Sequence, residues 1–174
     1  GFSAVNYLEQ PYNSDLDFGT GDFSIMCWAK GGAGTASEYI FGRDSTALAL
    51  GYAFSNSSWY GYAGGTALVA SAVFSEWNLI TYLRRDGVVY IYQGDNLLGS
   101  EANTSNVTGT QSSLIVGSLS AGSSPWKGSL LSIRISATAP SAEQIAKIYN
   151  EEKKLFEAGA QSTLYGTSDA VTAI

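Results

Sequence analysis

The chain contains no histidine and one cysteine, Cys27. Without imidazole there is no Ser-His-Asp or Cys-His nucleophile and no His-ligated metal. Cys27 lies inside an apolar alternation. That reads as a buried free thiol in a strand, and a lone cysteine excludes a disulfide within the chain. Carboxylate chemistry remains. Retaining glycoside hydrolysis sets two carboxylates roughly 5 Å apart, which on a strand means Asp or Glu two or four residues apart. No strand-like stretch has that pattern. Glu76 and Glu101 are isolated, Glu151 and Glu152 fall in a helical stretch, and Asp15 and Asp17 lie in a turn. The expectation is a protein that is not an enzyme.

Binding chemistry is better represented. Sugars stack on exposed aromatic rings beside amide or carboxylate partners. Trp59, Tyr60 and Tyr62, in SSWYGYAGG, form the densest such cluster. Strand alternation puts Tyr60 and Tyr62 opposite Trp59, so only one of the two sets can be core. Calcium would need six to eight oxygens, about the number loop carboxylates and carbonyls supply. Asp15, Asp17, Asp22, Asp44, Asp86 and Asp95 all fall at predicted turns. Each can instead support its own turn by side-chain-to-backbone bonding. Their spacing is no compact motif; Asp17 and Asp44 are the first candidates should calcium be bound. No cofactor is required by any pattern. Asn56, Asn103 and Asn106 begin N-x-S/T triplets, which carry no weight in a Ser/Thr-rich chain without a secretory route.

The elements that must position these residues follow from composition and period. The chain has 174 residues, with 20 Gly, 3 Pro, 11 Tyr, 7 Phe and 4 Trp. A chain this long buries roughly 70% of its unfolded surface as one domain, and this mix favours an all-β fold. Nine Lys plus Arg against 15 Asp plus Glu give a net charge of −6. No basic face forms, so nucleic acid is excluded as a partner. No apolar run approaches the roughly 18–20 residues that cross a bilayer, so no membrane insertion is expected. Gly1 to Gln10 has neither the basic start nor the apolar run of a leader. The strand-like end, Val171 to Ile174, suggests a chain taken from something longer.

Short strands are predicted at Phe2–Leu8, Phe23–Lys30, Tyr39–Phe41, Ala47–Phe54, Trp59–Ala63, Ala67–Ala72, Leu114–Val116 and Thr163–Tyr165. Trp77 to Leu98 holds two strands around Arg85-Asp86-Gly87, a strong hairpin signal. In FSIMCWAK both faces carry bulk, so that strand sits inside the fold. The stretch from Pro125 to Lys153 closes the pattern. Leu131, Ile133 and Ile135 are expected to face the core, opposite Leu130, Ser132 and Arg134. Trp126 is a core anchor. Pro140 stops the strand, Ser141 with Gln144 forms a capping box, and Ile145, Ile148 and Tyr149 give an amphipathic helix. The spacing predicts an all-β, two-sheet antiparallel β-sandwich (jelly roll) with one short C-terminal α-helix at about residues 141–155. Residues 1–156 form the domain and 157–174 a C-terminal extension, packed on it or leading to another.

The order FGTGDFSIMCWAK, EWNLITYLRRDGVVYIYQGDNLLGS, LIVG and PWKGSLLSIRISATAPSAEQIAKIYNEEK resembles the laminin-G-like branch of the concanavalin A-like lectin/glucanase superfamily. The match runs in order from Asp15 to Lys153. The tail EEKKLFEAGAQSTLYGTSDAVTAI resembles the region after such domains in bacteriophage tail-fibre and other virion proteins. The resemblance implies a non-catalytic binding module for a glycan or cell-surface receptor, with one Ca²⁺ on the rim in many members. Relatives of the same fold include hydrolases and lyases, and fold alone does not choose among them. It also implies a virion or extracellular surface, host attachment, and a homotrimer or larger assembly in the parent protein. The competing expectation is a structural or protein-binding decoration module.

Overall fold

A computed structural model describes residues 2–31, 34–44, 47–108 and 112–156. Eleven described strands form two antiparallel sheets. They are β1 (Leu8–Gln10), β2 (Phe23–Lys30), β3 (Ser37–Arg43), β4 (Leu48–Ala53), β5 (Ser58–Ala63), β6 (Thr66–Ser71), β7 (Asn78–Arg85), β8 (Val88–Gln93), β9 (Asn96–Ala102), β10 (Leu114–Val116) and β11 (Ser129–Ser136). One sheet has the order β1-β10-β3-β4-β5-β6, the other β11-β2-β7-β8-β9. A single described α-helix, α1 (Ala142–Glu152), follows β11. This is the predicted sandwich jelly roll with its short helix.

The core between the sheets takes one face of each strand. Phe23, Ile25 and Cys27 of β2 meet Leu48, Leu50 and Tyr52 of β4, with Tyr82 and Ile91 alongside. Trp126 is fully buried and stacks on Trp59, ring centroids 6.3 Å apart. Where β6 and β9 converge, Gly99 faces Ala70: a Cβ there would lie 3.4 Å from that of Ala70, an ordinary packing contact.

The other face of β2 also carries bulk, and α1 explains why. Met26, Trp28, Leu79, Leu83 and Tyr92 form a second apolar layer under Ile145, Ile148 and Tyr149. The capping box holds the helix start: the Ser141 amide donates to Gln144 Oε1 at 2.8 Å, and the Gln144 amide donates to Ser141 Oγ at 3.3 Å. At its other end, the Trp28 indole donates to Glu152 Oε2 at 2.7 Å, and Phe156 stacks on Trp28 at 4.1 Å.

Two expectations are corrected. The first strand is Leu8–Gln10, not Phe2–Leu8; residues 3–6 close a turn, and Phe2 packs over Gly117. In β11, Ser132 has a φ of 53° and the register shifts between Leu131 and Arg134. This β-bulge breaks the alternation. Leu130 therefore joins Ile133 and Ile135 on the core side, while Leu131 is 52% exposed. The predicted strand at Thr163–Tyr165 and the 157–174 extension lie outside the described residues.

Candidate functional site

Strand β5 sorts the aromatic cluster. Gly61 points inward, and a Cβ there would strike the Tyr82 ring, so the core demands glycine. Trp59 points the same way and is fully buried. Its ring meets Tyr52 and Phe74, and its indole donates to Gln93 Oε1 at 3.0 Å. Trp59 therefore offers no ring face to a ligand, and its expected binding role is corrected to a core one. Tyr60 and Tyr62 occupy the opposite face and are half-buried.

The register gives their surroundings. Tyr39, Gly51, Tyr60 and Val69 lie in one row across β3 to β6; Ala49, Tyr62 and Ala67 lie in the next. Gly51 leaves room for the Tyr39 ring, which a Cβ there would meet. Tyr39 shares a side-chain hydrogen bond with Tyr62, with ring centroids 6.5 Å apart. Burial, then the neighbouring Tyr62 hydroxyl, pushes the Tyr39 phenol well above its ordinary range. The Asn56 amide donates to Tyr60 Oη at 2.8 Å, which leaves the Tyr60 hydroxyl hydrogen available for donation outward. Val69, opposite Tyr60, is 50% exposed. A loop at 118–124 borders this face: Ser124 O accepts from the Tyr39 amide at 3.1 Å, and Leu119 crosses over Gly42. Tyr39 and Val69 were not singled out from sequence, and Asn56 only as the start of an N-x-S/T triplet. The available signal was Gly51, a glycine inside a strand that marks a close approach.

Asp17 and Asp44 are not brought into a carboxylate cluster. Asp17 Oδ1 pairs with the buried Arg43 at 2.5 Å, and Oδ2 accepts from Tyr12 Oη at 2.9 Å. A cation at Asp17 would compete with the Arg43 guanidinium. Asp44 ends β3 with a φ of 46° and borders a cleft of about 360 Å³ lined by Glu9, Gly42, Ile115 and Leu119. Among the described residues, no three of His, Cys, Asp and Glu converge as metal ligands. A larger cleft of about 680 Å³ runs between α1 and β11, lined by Met26, Arg134, Ser136, Pro140 and Ile148. Neither cleft contains Tyr60 or Tyr62. The Cys27 thiol is buried, and desolvation pushes its pKa up to about 12, so it stays a neutral core group. No described helix is long and apolar enough to cross a membrane.

A laminin-G-type family model, described as the concanavalin A-like lectin/glucanases superfamily, matches residues 4–146. No curated protein matches the chain by sequence. Several solved structures share the fold. A candidate carbohydrate-binding protein from Bacteroides ovatus superposes with a TM-score of 0.69 at 12% identity, covering 84% of this chain and 45% of its own. The receptor-binding domain of botulinum neurotoxin C/D mosaic serotype gives 0.66 at 13% identity, with 86% and 41% covered. Trypanosoma rangeli sialidase, in complex with the inhibitor DANA, gives 0.64 at 13% identity, with 85% and 26% covered. The chain thus spans less than half the length of each. At these identities the likeness concerns the fold.

Proposed function

The chain belongs to the concanavalin A-like lectin/glucanases superfamily, and from that membership we propose that it is a non-catalytic module binding a glycan of a cell surface. The observation that carries this reading is the pair Tyr60 and Tyr62, side by side and half-buried on a sheet face that no described helix covers. Stacking on such rings buries the apolar face of a pyranose, while Tyr60 and Asn56 offer hydrogen bonds for its hydroxyls. The non-catalytic part rests on the acids. The described strands carry Glu9, Glu38 and Glu101, one each on β1, β3 and β9, so no strand presents the carboxylate pair of a retaining glycosidase. Glu38 is buried, and its Oε2 accepts from the Lys127 amide at 2.9 Å.

The setting we propose is a virion appendage such as a tail fibre, where the module would attach the particle to its host. The sequence of residues 151–174 supports this, because it resembles the segment C-terminal to such domains in virion proteins. A glycan array, run with and without calcium on the intact chain and on Tyr60→Ala and Tyr62→Ala, tests the binding reading. Saccharide binding that either variant abolishes is the expected result; no binding to any saccharide overturns it.

A further inference from the structure

The cleft of about 680 Å³ between α1 and β11 falls within the size of small-molecule sites, roughly 300–1,000 Å³. Its floor is apolar: Met26 is buried, and Ile148 and Pro140 are half-buried. The turn leading from β11 to α1 forms part of its wall and is held in place. Ser24 Oγ donates to Thr138 O at 2.7 Å, and the Ser136 and Thr138 hydroxyls lie 2.9 Å apart.

The sides carry donors. Arg134 Nη2 donates to Glu152 Oε1 at 2.6 Å, and Glu152 Oε2 accepts from the Trp28 indole at 2.7 Å. Both oxygens of Glu152 are thereby engaged, and they hold the guanidinium at the cleft with further N–H groups to donate. Gln144 Oε1 accepts from the Ser141 amide, which leaves its NH2 group for a ligand. Lys147 lies 3.9 Å from Glu151, beyond hydrogen-bond reach, and both are largely exposed. Such a pair holds its members weakly. In a chain of net charge −6, the lining thus brings two cations, Arg134 and Lys147, beside one carboxylate, Glu151, with Glu152 behind Arg134. The groups still open to a ligand are mainly donors.

We infer that the α1–β11 cleft binds a small organic carboxylate with an apolar ring or chain, because an apolar floor is juxtaposed with donors that the fold leaves unfilled. The body of the ligand lies on Met26 and Ile148, and its carboxylate meets Arg134 and Lys147. A guanidinium fork matches a carboxylate in shape as well as charge. The cleft is on the other sheet from Tyr60 and Tyr62, and the inference does not depend on the glycan reading.

Met26 is the chain's only methionine, so a labelled methionine methyl gives one NMR resonance, on the cleft floor. The test titrates the intact chain with phenylacetate and hexanoate, their neutral amides phenylacetamide and hexanamide, and the cation phenethylamine. The carboxylates are expected to shift the Met26 methyl saturably, about tenfold more tightly than the amides, and less tightly as salt is raised. Arg134→Gln and Lys147→Gln each weaken the carboxylates by about threefold or more and leave the amides unchanged. Arg134→Gln also breaks the pair with Glu152; if the ligand-free Met26 resonance moves in that variant, Lys147→Gln, at an exposed helix position, decides. Amides binding as tightly as carboxylates, or the amine binding more tightly, overturns the inference. So does carboxylate affinity unchanged in Lys147→Gln. No saturable shift with any probe overturns it as well. None of these results bears on the saccharide array, so the two readings stand or fall separately.

Discussion

The two sheets bury one face each in a shared core, and their outer faces have opposite fates. Outside β2 and β7 lie Met26, Trp28, Leu79 and Leu83, and α1 covers them. Outside β4 and β5 lie Tyr60 and Tyr62, and no described helix covers them. The side chains explain the difference. Trp28 and Leu79 are apolar enough to require a lid, and Trp28 needs Glu152 of that lid for its indole hydrogen. Tyr60 and Tyr62 each carry a hydroxyl and sit among alanine, glycine and serine, so contact with water is tolerable there. An aromatic residue on an outward strand position is therefore ambiguous until its polar end is taken into account.

This contrast can be broken from either side. Trp28→Ala should have the largest effect, lowering stability by about 3–5 kcal/mol in a denaturant melt, because Phe156, Tyr149 and Glu152 all lose a partner. Next comes Ser141→Ala, which removes half of the capping box and should cost about 0.5–2 kcal/mol. Tyr60→Ala on the open face should cost about 1 kcal/mol or less in the same melt, yet abolish the glycan binding proposed above. A stability loss at Tyr60 equal to that at Trp28 would erase the distinction between the faces. The smallest effect concerns pH. The Ser141 hydroxyl donates to Glu143 at 2.7 Å and holds that carboxyl below its usual range. A depressed folded pKa stabilises above the unfolded pKa, and the contribution is lost as pH falls through the folded one. Glu143→Gln should therefore flatten a small acid-side decline in stability, read from melts across the carboxylate range.

The features legible in the sequence were local. Ser141 and Gln144 stand three residues apart, and their reciprocal bonds form as that spacing requires. Asp86-Gly87 marks its hairpin because both residues take positive φ, 52° and 74°. The opposition of Trp59 to Tyr60 and Tyr62 was equally plain. Which side went inside depended on Tyr82, a residue of the other sheet that fills the space left by Gly61. The partner of Asp17 was hidden for the same reason: Arg43 is 26 positions away. The bulge at Ser132 has no signature in SLLSIRIS, whose alternation looks regular.

That bulge bears on how such a domain behaves when crowded. An edge strand with regular pairing groups is a template onto which another chain can add, and the outcome is aggregation. β11 is an edge of its sheet. At Ser132 its backbone turns to a left-handed conformation and the register slips. A second copy arriving in extended form would find its ladder interrupted partway along. The bulge thus shortens the regular template that this edge presents to another strand.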